Sequence, residues 1–123
     1  GDDWFWAAHQ DWGGVTYADV TDATRWAVAK GIADPARVCV VGWSFGGYAA
    51  LLSAVRERGT YRCAANIAGV SDLGKLVFSA RHFAGREIMR RQIGTNAAKL
   101  EADSPARHAR DASVPVLIVH GSR

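Results

Sequence analysis

A single serine lies among glycines in the segment Gly42–Gly47, which reads Gly-Trp-Ser-Phe-Gly-Gly. The pattern Gly-x-Ser-x-Gly is common by chance, so its meaning depends on the residues that flank it. Here a β-branched run ends at Val41, and a run of small and apolar residues begins at Tyr48. A strand, a sharp turn and a helix in that order form a nucleophile elbow, because the turn raises the serine hydroxyl above the end of the strand. We call residues Gly42–Gly47 the nucleophile turn.

A nucleophile at such a turn requires an unusual backbone conformation. The serine takes strained dihedral angles, and we expect side chains at positions 42 and 46 to collide with neighbouring backbone. The start of the next helix would direct the backbone N–H of Phe45 and the positive end of the helix dipole at a developing oxyanion. Ser44 is therefore the predicted nucleophile and Phe45 the predicted oxyanion donor. The alternative is a glycine-rich turn that only packs or binds phosphate, but such a loop favours further glycines or a lysine after the turn.

A serine nucleophile also needs a base, and the base needs an orienting carboxylate. After a nucleophile elbow the acid comes next in the chain and the histidine last. The candidates that follow the serine are Asp72, Asp103, Asp111, His82, His108 and His120. We predict structural roles for all six, since even His120 follows its strand directly, whereas the base of this arrangement comes one strand later. The acid and base are expected beyond Arg123.

Strand-like and helix-like patterns alternate along the chain. The predicted strands are 38–41, 63–68 and 114–119; the predicted helices are 17–30, 48–58 and 87–93, with further short helices within 72–103 and a helix start at Ser104-Pro105. Residues 1–16 are predicted to form a loop with one helical turn. Strands that are apolar on both faces and alternate with helices form parallel sheets. The predicted fold class is therefore α/β, a parallel sheet with helices on both faces.

Composition narrows the classes of function. The chain has 123 residues, which suits one domain or part of one, and a net charge of +3 with a pI near 9.2. Without a run of Lys and Arg, this mild charge does not predict nucleic-acid binding, and no apolar stretch approaches the ~18 residues of a membrane span. Cys39 and Cys63 lie in apolar runs, and we predict buried free thiols rather than a disulfide. Compartment and oligomeric state stay open.

Several ordered segments resemble the catalytic domain of the prolyl oligopeptidase family, particularly its dipeptidyl-peptidase and acylaminoacyl-peptidase branches. The resemblance covers nearly the whole chain, and its most specific feature is the double glycine followed by Tyr48. The shared segments are Trp12–Gly14, Gly31–Val38, Gly42–Ala50, Tyr61–Cys63, Gly69–Asp72, Ser104-Pro105 and Val114–Gly121.

The resemblance implies that residues 1–123 form a partial α/β-hydrolase catalytic domain, with its N-terminal and C-terminal parts missing. It implies a serine-type peptidase that hydrolyses peptide bonds of short peptides through an acyl-enzyme on Ser44, with no metal and no cofactor. The segment after Val70 is similar to the family's wall for the substrate side chain, which makes Leu73, Leu76 and Phe78 candidate pocket residues.

Two alternatives stay open at this point. One is a carboxylesterase or other acyl hydrolase, which uses the same elbow. The other is a non-catalytic fragment that lacks the triad acid and histidine. We expect the isolated chain to lack hydrolase activity and to fold poorly, because the strand before Ser44 would have an unpaired edge.

Overall fold

The computed structural model describes residues 1–79 and 85–122. Its elements are α1 (Asp2–Ala7), α2 (Val15–Ala29), β1 (Cys39–Trp43), α3 (Phe45–Arg56), β2 (Cys63–Ile67), α4 (Leu73–Ser79), α5 (Arg86–Ile93), α6 (Ala97–Ala102), a 3₁₀ helix (Pro105–Asp111) and β3 (Val116–Val119). The predicted strands and helices are confirmed, with ends that differ by a few residues. No helix in the described ranges is long and apolar enough to cross a membrane.

The three strands form one parallel sheet in the order β1-β2-β3. The register aligns Gly42 of β1 with Asn66 of β2, and Asn66 with Ile118 of β3. The parallel α/β prediction is therefore confirmed. Because the strands run in the same direction, the residues that follow their carboxyl ends, Ser44 and His120 among them, lie along one edge of the sheet.

Helix α3 covers one face of this sheet. Its residues from Gly47 to Ala54 are all buried, and it packs against both β1 and β2. The 3₁₀ helix contacts α3 on the same side. On the opposite face Val41, Trp43 and Leu117 are 61–72% exposed. Within the described residues, the prediction of helices on both faces is thus met on one face.

Cys39 and Cys63 form a disulfide, so the prediction of buried free thiols is wrong. The two residues are partners in the parallel register of β1 and β2, and their Cα atoms are 4.7 Å apart. Paired residues in neighbouring strands direct their side chains to the same face, and this separation lies within the range that a disulfide spans. The disulfide links the strand before the nucleophile turn to its neighbour.

Local signals account for several helix ends. Gly31 has φ +72° and follows the end of α2, where a left-handed residue commonly ends a helix. Ser104 and Pro105 start the 3₁₀ helix as predicted, yet the Ser104 hydroxyl does not cap it. The hydroxyl instead accepts the backbone N–H of Leu73 at 2.8 Å and donates to the carbonyl of Leu100. It thereby joins the start of α4 to α6.

Candidate active site

Ser44 lies between the last residue of β1 and the first residue of α3, with φ +55° and ψ −117°. A positive φ is uncommon for a residue with a side chain and persists only where the surroundings enforce it. Here the N–H of Ser44 donates to the carbonyl of Ile67 at 3.0 Å, and the carbonyl of Ser44 accepts the N–H of Tyr48 at 3.1 Å. The residue is exposed. Ser44 is thus an exposed residue held in a strained turn at the edge of the sheet.

The glycines of the nucleophile turn differ in how much room the surrounding backbone leaves for a side chain. A Cβ at Gly42 would lie 2.1 Å from the carbonyl carbon of Gly46, so only glycine fits at position 42. A Cβ at Gly47 would lie 2.9 Å from the Cα of Gly69, in the loop after β2. Within the described chain a Cβ at Gly46 meets nothing within 4 Å. The predicted collision is therefore confirmed at position 42 and is wrong at position 46, because there a Cβ would face open space.

Phe45 is the first residue of α3, so its N–H lies outside the helix's own hydrogen-bond ladder. Its ring packs edge-on against Trp12, with centroids 5.0 Å apart, and also contacts the ring of Tyr48 at 5.7 Å. These contacts fix the residue while leaving its N–H at the positive end of the helix dipole. The arrangement can supply one hydrogen-bond donor to an oxyanion next to Ser44.

A charged network holds the N-terminal loop against the same helix. Arg56 donates to the carbonyl of Gly13 at 2.8 Å and to the Asp103 carboxylate at 2.8 Å. Lys99 donates to Asp11 at 2.6 Å and to Asp103 at 3.0 Å. The hydrogen bond from Lys99 holds the pKa of Asp11 below its ordinary value, and the same bond raises the pKa of Lys99. The network fastens the loop that places the Trp12 ring on Phe45.

The aspartates considered as triad acids have other partners. Asp72 accepts the N–H of Lys75 at 2.8 Å and forms an ion pair with Arg107 at 3.0 Å. Asp103 belongs to the charged network, and Asp111 is exposed in the 3₁₀ helix. The contacts of Asp72 and Asp103 are structural ones, whereas the role of Asp111 stays a prediction.

His108 and His120, the two candidate histidines among the described residues, do not form a triad with Ser44. His108 lies 3.2 Å from the carbonyl of Glu101, and His120 lies 3.2 Å from the carbonyl of Gly121. His82 lies outside the described residues. Within residues 1–79 and 85–122, no hydrogen bond joins the Ser44 hydroxyl to a histidine or a carboxylate.

The three predicted pocket residues lie on α4 but in different surroundings. Leu73 is 2% exposed and belongs to the hydrophobic core. Leu76 packs against that core, as Phe45 does. Phe78 is 55% exposed and borders a cavity of about 480 Å³ together with Lys75. The structure therefore does not bring the three side chains into one pocket, and the buried position of Leu73 gives it a packing role here.

Comparison with known proteins decides the family of this fold. The sequence model of the prolyl oligopeptidase family matches residues 1–123, the whole chain. The chain belongs to the prolyl oligopeptidase family.

This chain matches only a part of each family member to which it is similar. Dipeptidyl peptidase family member 6 of Caenorhabditis elegans is 30% identical over 124 residues, which span 94% of this chain and 17% of that protein. Dipeptidyl aminopeptidase BIII of Pseudoxanthomonas mexicana is 30% identical over an alignment that spans 99% of this chain and 19% of that protein. The chain thus spans less than a fifth of the relatives that it matches.

Solved structures agree with this assignment. The puromycin-hydrolyzing peptidase of Mycobacterium tuberculosis superposes with a TM-score of 0.80 at 31% identity, over 91% of this chain and 17% of that one. The acylaminoacyl peptidase of Pyrococcus horikoshii, at 19% identity, shares the fold with a TM-score of 0.79 over 93% of this chain and 19% of that one. The three strands and their helices are therefore part of the α/β-hydrolase-like architecture of this family.

Asn66, which lies in β2 beside the nucleophile turn, is not among the residues predicted from the sequence. The side chain is 1% exposed, and its amide donates to the carbonyl of Gly47 at 3.2 Å and accepts the N–H of Gly69 at 3.0 Å. The signal was a polar residue within the apolar run Cys63–Ala68, since a buried polar side chain requires specific partners.

Proposed function

We propose that this chain supplies the nucleophile of a serine-type peptidase and that Ser44 is that nucleophile. The observation that supports this most strongly is the exposed, positive-φ serine between β1 and α3, in a chain whose family consists of peptidases. A serine that only packed or ended a strand would not need that strain, whereas a nucleophile gains an unobstructed hydroxyl from it.

In the proposed mechanism a histidine removes the proton of the Ser44 hydroxyl as its oxygen attacks the carbonyl carbon of the substrate. The N–H of Phe45 donates to the oxyanion that forms. The intermediate then expels the amine, which takes up the proton from the histidine, and leaves an acyl-enzyme on Ser44. Water, deprotonated by the same histidine, hydrolyses that ester. We propose that the histidine and its acid come from outside residues 1–123, in line with the partners found for Asp72 and Asp103.

The proposed substrates are short peptides. The names of three similar proteins support this proposal: a dipeptidyl peptidase family member, a dipeptidyl aminopeptidase and a puromycin-hydrolyzing peptidase. Leu76 is proposed to contribute an apolar surface to the substrate wall, since it packs on the hydrophobic core as Phe45 does. Phe78 is proposed to contribute from the exposed side of α4.

The test compares hydrolysis of a dipeptidyl 4-nitroanilide and a short-chain 4-nitrophenyl ester by the protein that carries this sequence. Replacing Ser44→Ala should lower kcat/KM for the anilide by at least about 10⁴-fold, because no other group can form the acyl-enzyme. Ser53→Ala is the matched control, since Ser53 lies on α3 but is fully buried. Turnover of the ester alone would favour the acyl-hydrolase alternative, and anilide hydrolysis that survives Ser44→Ala would contradict the proposal.

A further inference from the structure

The buried amide of Asn66 joins two backbone segments that the proposed reaction must hold together. One is the first turn of α3, where the amide donates to the carbonyl of Gly47, three residues after Ser44. The other is the loop after β2, where the amide accepts the N–H of Gly69. That loop continues through Val70 into α4, the helix of the proposed pocket residues.

These two segments are in direct backbone contact. A Cβ built on Gly69 would lie 2.7 Å from the Cα of Gly47 and 2.6 Å from the amide nitrogen of Asn66. In the register Asn66 faces Gly42, so it lies beneath the turn, and the next residue, Ile67, accepts the N–H of Ser44. Hydrogen bonds made by a buried group with both partners satisfied fix geometry strongly, because water cannot replace them.

We propose that Asn66 is a positioning residue that fixes the distance between the nucleophile turn and the loop that leads to the substrate wall. The inference is based on the proposed function. Asn66 does not touch the reacting atoms; it acts through Gly47 and Gly69. If it is lost, the Ser44 hydroxyl and the Phe45 N–H should shift relative to a bound substrate, and a misplacement of about 1 Å can slow a reaction about 100-fold.

Two substitutions disturb the contact between the nucleophile turn and the loop after β2, one at Asn66 and one at Gly69. Asn66→Asp keeps the size of the side chain and the acceptor for Gly69, but it sets a carboxylate against the carbonyl of Gly47 in place of a donor. Gly69→Ala leaves Asn66 intact and forces a methyl group between the two segments. Leu100→Ala is the control for lost stability, because Leu100 is buried in α6 and takes no part in the hydrogen bonds of Asn66 to Gly47 and Gly69.

The measurements are the rate at which a fluorophosphonate labels Ser44 and the kcat and KM for a dipeptidyl anilide, each taken well below the unfolding temperature of the variant. We expect Asn66→Asp and Gly69→Ala to label about 10- to 100-fold more slowly, with kcat reduced more than KM is raised. Leu100→Ala should label within about threefold of the wild-type rate even though it unfolds more easily.

The outcomes separate this inference from the proposed function. Wild-type rates in both Asn66→Asp and Gly69→Ala, with normal labelling of the wild type, would overturn the positioning role and leave the nucleophile intact. Failure of the wild type to label at Ser44 would overturn both. Where a variant does not fold, hydrogen exchange in the wild type decides, because fast exchange of the Gly69 N–H would contradict its bond to Asn66.

Discussion

Replacing Gly42 with alanine tests whether the close backbone approach at the nucleophile turn is required for activity. Gly42 is the second-to-last residue of β1, two residues before Ser44, and the chain turns so sharply that Gly46 returns to it. A methyl group at position 42 would lie 2.1 Å from both the carbon and the oxygen of the Gly46 carbonyl. These are backbone atoms, so no side chain can rotate away to make room.

The distances set the size of the expected effect. Ordinary contacts of a Cβ begin near 3.4 Å, so the Gly46 carbonyl must move by more than 1 Å to accommodate the methyl group. That carbonyl is two residues from Ser44, and a displacement of about 1 Å at a reacting group can cost about 100-fold in rate. Overpacking also destabilises a folded protein by about 1–3 kcal/mol. We therefore expect Gly42→Ala to lower kcat/KM at least about 100-fold, with a smaller loss of stability.

The assay measures anilide hydrolysis and phosphonate labelling beside thermal unfolding. Gly85→Ala is the matched control, because a Cβ at Gly85 meets nothing within 4 Å among residues 1–79 and 85–122. Gly46→Ala is a third variant. It should keep near wild-type activity, because a Cβ at Gly46 meets nothing within 4 Å among the described residues. Wild-type kinetics in Gly42→Ala, with stability unchanged, would refute the reasoning about this turn.

Three further predictions follow from other parts of the structure. The Cys39–Cys63 disulfide closes a loop of sequence separation 24, so replacing both cysteines with alanine should lower the free energy of unfolding by about 3 kcal/mol in denaturant titrations; an unchanged midpoint would contradict this. The pKa of Asp11 is held below 3.8 by Lys99, so the stability from this pair is present above pH 3.8 and is lost as the pH falls through the lower folded value. Lys99→Met should cost up to about 1 kcal/mol at neutral pH and flatten the acid part of the stability curve, whereas an unchanged acid part would count against the pair. Residues 1–123 expressed alone should not label at Ser44, and a clean label there would show that the chain needs no outside base.

The nucleophile turn could be predicted because its signals are local. A β-branched strand, a glycine next to its end and a small-residue helix are adjacent in sequence, and together they require the strained angles that Ser44 adopts. The parallel sheet followed in the same way from the alternation of apolar strands with helices.

The features that were missed depend on residues distant in the chain. The pairing of Cys39 with Cys63 follows from the register of two strands, which neither strand shows by itself. The buried position of Leu73 depends on how α4 packs, and helical spacing alone does not tell which face of a short helix meets the core. The role of Asn66 depends on the approach of Gly69 to the helix start, which only the folded backbone shows.

The most direct test of the central claim is to locate the covalent adduct after treating the protein with a fluorophosphonate. After reduction of the Cys39–Cys63 disulfide, trypsin releases the segment 38–56, which contains both Ser44 and Ser53, so fragmentation of the peptide can tell the exposed serine from the buried one. We expect one adduct, on Ser44, and none in the Ser44→Ala variant. An adduct on another residue, or hydrolysis that continues while Ser44 stays unmodified, would contradict it.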